Sequence, residues 1–177
     1  RLAFGDVTEF VLPVQNALAF YIELPAFLLL GIVCGLVAVI LMRAVFLADD
    51  WADTVQNRLQ LPRYLRPAVA GALLGGLAIF WPHIIGVGYE TTSAALTGKL
   101  LFHEAIVFAV LKVLAVAITL GGRMGGGIFS PSLMIGALTG AAFGLIATAM
   151  FPTVSGDGTL YALAGMGAVA AAVLGAP

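Results

Sequence analysis

Gly121-Gly122-Arg123-Met124-Gly125-Gly126-Gly127 runs directly into Ile128-Phe129-Ser130-Pro131 and then into an apolar stretch that continues to Phe151. Glycine occupies five of the first seven positions, which predicts irregular backbone between two apolar segments. Pro131 suits the first turn of a helix, where its missing N–H costs no hydrogen bond. Ser130, or a glycine before it, is the expected cap. The N–H groups of Gly127, Ile128 and Phe129 would then stand at a helix N-terminus, where the peptide dipoles sum to a partial positive charge. Such a terminus holds anions without a formal cation. A halide has no directional preference and suits amide donors, which bind it weakly enough for it to leave again.

The surroundings of this loop define its solvent. Hydrophobic residues make up 62% of the 177-residue chain and charged residues 10%, and the mean hydropathy is +1.10. A soluble domain has about half apolar and a quarter charged residues, so lipid must bathe much of this exterior. Irregular backbone is tolerated at membrane depth only inside protein or along a watery cavity. The loop at 121–131 is therefore expected to be buried in protein or to line a watery cavity, and its amide chemistry ranks anion passage first among the functional readings.

Working outward from it, the apolar stretches are Leu24–Ala48, Ala68–Val87, Leu100–Leu120, Ile128–Phe151 and Leu160–Leu174. Membrane helices are expected over 23–48, 66–87, 100–120, 128–151 and 159–175. A span needs about 20 apolar residues, so the first four are long enough and the last is marginal. Interrupting Gly and Pro point to tilted or broken helices, in an all-α membrane fold. The connection Asp49 to Pro67 carries Asp49, Asp50, Asp53, Arg58, Arg63 and Arg66, with Arg43 just before it. It is the most Arg-rich connection and should face the cytoplasm, with residues 1–23 on the opposite side. Small residues recur at four-residue spacing in Gly31/Gly35, Gly71/Gly75 and Gly136/Gly140/Gly144. Such stripes let helices approach closely in lipid.

Other chemistries find no support. A net charge of −1 offers no footprint for nucleic acid. His103-Glu104 would need a second His at 107 to hold zinc, and Val107 stands there. A phosphate loop at Gly98-Lys99 would need Ser or Thr where Leu100 is, and a dinucleotide loop a glycine where Ser130 is. No metal site, cofactor or catalytic residue is expected, and Cys34 reads as a small buried hydrophobe. Lys112 lies in the middle of an apolar stretch, where a charge costs about 2.5–3.5 kcal/mol to insert. It is expected to pair with a carboxylate or with carbonyls at a helix end. His103 and Glu104 are expected at the membrane interface, and Glu90 in a loop or a helix first turn.

Gly127-Ile128-Phe129-Ser130-Pro131 resembles the G-x-F-x-P signature of the ClC chloride channels and chloride/proton antiporters. Gly125 to Gly144 is similar to the family helix that follows it, and Ala164-Gly165-Met166-Gly167-Ala168 to a later helix. Phe80-Trp81-Pro82 and Gly86-Val87-Gly88-Tyr89 resemble a preceding helix end and turn. The resemblance implies a ClC-type bundle of tilted and broken helices, in which this chain is an internal piece covering most of the second inverted repeat. It implies that Ile128 and Phe129 donate backbone N–H groups to chloride, while Gly126, Gly127, Ser130 and Pro131 shape the loop. It implies passive chloride conduction or chloride/proton exchange, and a full-length homodimer in a prokaryotic inner membrane. The family's G-S-G-x-P loop, G-x-E-G-P gate and proton-transfer glutamate would lie before Arg1, and its chloride-site tyrosine after Pro177. None of Glu9, Glu23, Glu90 or Glu104 sits in a matching motif. The alternative is another polytopic secondary transporter for a small anionic substrate.

Overall fold

The computed structural model describes residues 20–60, 62, 64–82, 86, 88–150 and 158–175. These form six helices: α1 (Phe20–Leu59), α2 (Leu65–Phe80), α3 (Tyr89–Leu96), α4 (Phe102–Gly121), α5 (Phe129–Met150) and α6 (Gly158–Leu174). Among the described residues the protein is all-α. Its segments 24–59, 102–121 and 129–150 are long and apolar enough to cross a membrane. The expected polar segment at the N-terminus, together with Arg63, Val87 and Phe151, lies largely or wholly outside the described residues.

Three expectations about the elements are corrected. The first helix does not stop at residue 48 but continues to Leu59. The added residues are largely polar yet helical, and Gln60, the residue after the helix, has a left-handed φ of 49°. The second helix ends at Phe80 rather than at 87 and has 16 residues. Pro82 forces the preceding Trp81 out of the helical region, to φ −132° and ψ 77°. The short helix α3, YETTSAAL, escaped notice because it is polar and carries no long apolar run. It starts at Gly88, whose φ of 77° is left-handed and whose missing side chain leaves room for Met134. Glu90 falls in its first turn. The Thr159 hydroxyl donates to the Leu96 carbonyl at 2.8 Å, closing its last turn.

The centre of the bundle is the α5–α6 pair. A Cβ on Gly165 would lie 2.5 Å from the Gly136 carbonyl oxygen and 2.9 Å from the Gly140 Cα. One on Gly140 would overlap the Tyr161 carbonyl. The two backbones therefore touch along the stripe Gly136/Gly140/Gly144, and dispersion between them replaces the hydrophobic drive that lipid removes. The other two stripes do no such packing within this chain. A Cβ on Gly31, Gly35 or Gly75 would meet no atom within 4 Å, and one on Gly71 only Met124 Cε at 3.8 Å.

Helix α1 packs on α4 and α6 with its narrow face Leu30, Cys34, Ala38 and Leu41, all buried. Its remaining faces expose Leu28, Ile32, Leu36, Val39 and Ile40, as expected for lipid contact. Phe27 stacks on the buried Tyr161 at 4.9 Å, tying α1 to α6. Cys34 is 0% exposed. In the folded protein, with any other cysteines replaced, its thiol is expected to resist maleimide and to label within minutes after SDS denaturation. Rapid labelling before denaturation would contradict this packing.

Candidate functional site

The loop that follows α4 turns back into the bundle. The N–H groups of Gly122, Arg123 and Met124 donate to Ile118, Leu120 and Thr119 carbonyls at 2.8, 2.9 and 3.1 Å, so the chain reverses tightly at the helix end. Arg123 takes a left-handed φ of 54° to make this reversal. Gly125 to Gly127 then run back along α4. Gly126, Gly127 and Pro131 line a cavity of about 440 Å³ together with Gly71, Leu74 and Gly75 of α2 and Lys112, Ala115 and Thr119 of α4. From Gly121 to Lys112 is roughly 13 Å along a helix at about 1.5 Å per residue. The cavity beside the start of α5 thus runs along α4 from its C-terminal end toward its middle. Gly125, Gly126 and Gly127 are exposed, so the expected burial of this backbone is not met within the chain, while Gly126 and Gly127 do line the cavity.

Helix α5 begins at Phe129. Ile128 holds the capping position, with its carbonyl accepting from the Ser132 N–H at 3.1 Å. This corrects the expected cap, Ser130 or a glycine. Ile128 fits because its side chain anchors the turn in the apolar cluster of Leu41, Val116 and Ile135. Pro131 stands in the first turn as expected and contributes no N–H. Ser132 is a participant that sequence reasoning missed. It is 0% exposed, and its hydroxyl donates to the Phe129 carbonyl at 2.6 Å. With Ser132 bonded to Ile128 and Pro131 lacking a donor, the N–H groups of Ile128, Phe129 and Ser130 are the ones left at this helix end, and none has a hydrogen bond among the described residues. The Phe129 ring is half exposed.

Lys112 is the cation that lines this cavity. It is 3% exposed, and its Nζ donates to the Gly86 carbonyl at 2.7 Å. That bond agrees with the expectation of carbonyl pairing, and Gly86 lies just before α3. The Glu104 carboxylate accepts the Leu101 N–H at 3.0 Å, half of a capping box at the start of α4. Its role is to complete that helix end.

The largest omission from the sequence reading lies where the loop leaves α4. Arg66, only 8% exposed, reaches from the start of α2 to the α4 C-terminus. Its Nε and Nη2 donate to the Gly121 carbonyl at 2.9 and 2.6 Å, and its guanidinium also pairs with the carboxylates of Asp49 and Asp53 on α1. Arg123 adds outer contacts, at 3.3 Å to Asp53 and 3.8 Å to Asp49. The two aspartates are four apart and so share one face of α1. That spacing was visible in the sequence, but nothing local pointed to Gly121 as the third partner. Among the described residues no group of three or more His, Cys, Asp or Glu could hold a metal ion.

The family profile described as voltage gated chloride channel matches residues 1–177. Among similar curated proteins, a chloride channel protein CLC-f from Arabidopsis thaliana is 34% identical over 88% of this chain and 21% of its own length. A putative chloride channel protein ClcB-like from Ralstonia nicotianae is 33% identical over 88% of this chain and 35% of its own. An H(+)/Cl(-) exchange transporter ClcA from Vibrio parahaemolyticus is 32% identical over 85% of this chain and 32% of its own. The chain thus spans about a third or less of the length of the curated relatives it matches.

Proposed function

The chain belongs to the voltage gated chloride channel family, and from that premise we propose that it supplies one side of a chloride pathway whose anion is held by the backbone N–H groups of Ile128 and Phe129. The observation that carries this reading is the α5 N-terminus, whose amides have no hydrogen bond among the described residues and stand beside a cavity. Gly126 and Gly127 put no side chain of their own into that cavity, Pro131 fixes the first turn, and Ser130 adds a third amide. The anion would be held by partial charges, with Lys112 raising the local potential. Transport is either passive conduction or chloride/proton exchange, and the names of the relatives include both kinds. The working protein is a membrane-embedded homodimer, in a prokaryotic inner membrane to judge from the bacterial relatives. With only one side of the site, the 177-residue chain alone is expected to carry no chloride above empty liposomes.

The test is chloride efflux from liposomes holding the full-length protein, with external pH recorded at the same time. Chloride flux with matched proton movement indicates exchange, and flux without it conduction. Competition by small carboxylates or phosphate with no halide effect would instead favour a transporter of another anion. Phe129→Ala keeps the backbone N–H, so chloride affinity is expected to fall by less than about threefold, within the few tenths of a kcal/mol typical of a half-exposed position. Pro131→Leu releases the first turn and is expected to cost more. Equal losses in the two variants would count against an amide-built site.

A further inference from the structure

The anion loop has two attachments, and they differ in kind. Beyond Phe129 it continues into α5, whose position is fixed by backbone contact with α6. Before Gly125 it hangs from the end of α4. That end is gripped by groups distant in sequence. A Cβ on Gly121 would lie 2.8 Å from the Cβ of Ala48, and one on Gly122 would overlap the Cβ of Ala70, so α1 and α2 both abut the turn directly. Arg66 binds the same turn at the Gly121 carbonyl and carries Asp49 and Asp53 with it. Arg123, inside the turn, is held by the same two carboxylates.

We infer that Arg66 is a positioning residue for the anion site: with Asp49 and Asp53 it forms a clamp that fixes the re-entrant turn at 121–124 and thereby the placement of the loop carrying the Ile128 and Phe129 amides. This inference rests on the amide reading of the site. Physically, the α4 C-terminus presents carbonyls that attract a cation. A guanidinium can bind that carbonyl and two carboxylates together because it is a planar fork of five donors. Lysine cannot reach all three at once. Gly125, Gly126 and Gly127 have no side chains to hold a position of their own, so the path of the backbone before the amides is set by its two ends, the 121–124 turn and the start of α5. Arg66 hydrogen-bonds the loop at Gly121 and not at Ile128 or Phe129, which makes its effect on the amides indirect.

The experiment uses the full-length protein purified in detergent, as wild type, Arg66→Met, Arg66→Lys and the double variant Asp49→Asn/Asp53→Asn. Chloride and bromide binding are measured by calorimetry, chloride-to-nitrate flux ratios in liposomes, and folding by size exclusion and thermal unfolding. Arg66→Met is expected to weaken chloride binding by at least about fivefold, the lower end of the range for coupled sites, and to change the flux ratio. Arg66→Lys should restore part of both. A role in stability alone would lower the unfolding temperature and leave affinity and selectivity of the folded protein unchanged, and that result would overturn the inference. If Arg66→Met does not fold, the double variant decides. It keeps the bonds to Gly121 and neutralises two half-exposed carboxylates, so it is expected to fold and to shift affinity in the same direction. Wild-type values in the folded double variant would overturn the clamp. Absence of any halide response in the wild type would overturn the amide reading itself, and the clamp's role with it.

Discussion

Gly127→Leu is expected to reduce chloride flux through the full-length protein by more than about tenfold while leaving it folded, a ratio equivalent to about 1.4 kcal/mol. The usual reason for a glycine before a helix is that a side chain would clash or that φ is positive. Neither holds here. A Cβ on Gly127 would meet nothing within 4 Å, and the residue is not among those with positive φ. The space it would fill is the cavity shared with Lys112 and Pro131. The expected damage is therefore by occupancy, the leucine taking volume in the cavity beside the start of α5. This makes the variant a cleaner test than most, since loss of flux with an unchanged unfolding temperature separates the site from the fold. Flux within twofold of wild type would mean that no anion passes this side of the loop.

Gly140→Val is expected to have the opposite signature, loss of the folded protein itself. Its Cβ would enter the Tyr161 carbonyl oxygen and stand 2.8 Å from the Ala162 Cα, and both are backbone atoms that cannot rotate away. Relief requires α5 and α6 to separate along their whole contact, which also lifts Tyr161 from Phe143. Overpacking costs about 1–3 kcal/mol where side chains can adjust, so about 3 kcal/mol or more is expected here. The measurement is the monodisperse fraction and the midpoint of thermal unfolding in detergent. Gly35→Val, at a glycine with nothing within 4 Å in this chain, serves as the control. A wild-type midpoint for Gly140→Val would show that the helices do not meet backbone to backbone.

The two variants mark where sequence reasoning reached and where it stopped. The sequence alone determined that the chain is helical and lives in lipid, because composition and the length of apolar runs depend on no partner. It also determined that irregular backbone lies between the two apolar runs, at 122–128, and that Pro131 stands in the first turn of a helix, since proline and glycine act through local dihedral limits. It showed three stripes of small residues but not which one makes contact. Spacing defines a face, and only the packed partner says whether that face is used, as Gly136/Gly140/Gly144 is and Gly31/Gly35 is not. Tertiary structure alone decided that α1 runs on to Leu59, that Ile128 takes the cap, and that Ser132 holds the Phe129 carbonyl. It also decided that Arg66, read in sequence as one more basic residue on a water-facing connection, is buried against Gly121, 55 residues away. A charge near a membrane edge is cheap to place in water. What draws this one inward is a helix C-terminus and two carboxylates from separate segments, and their meeting is a property of the fold.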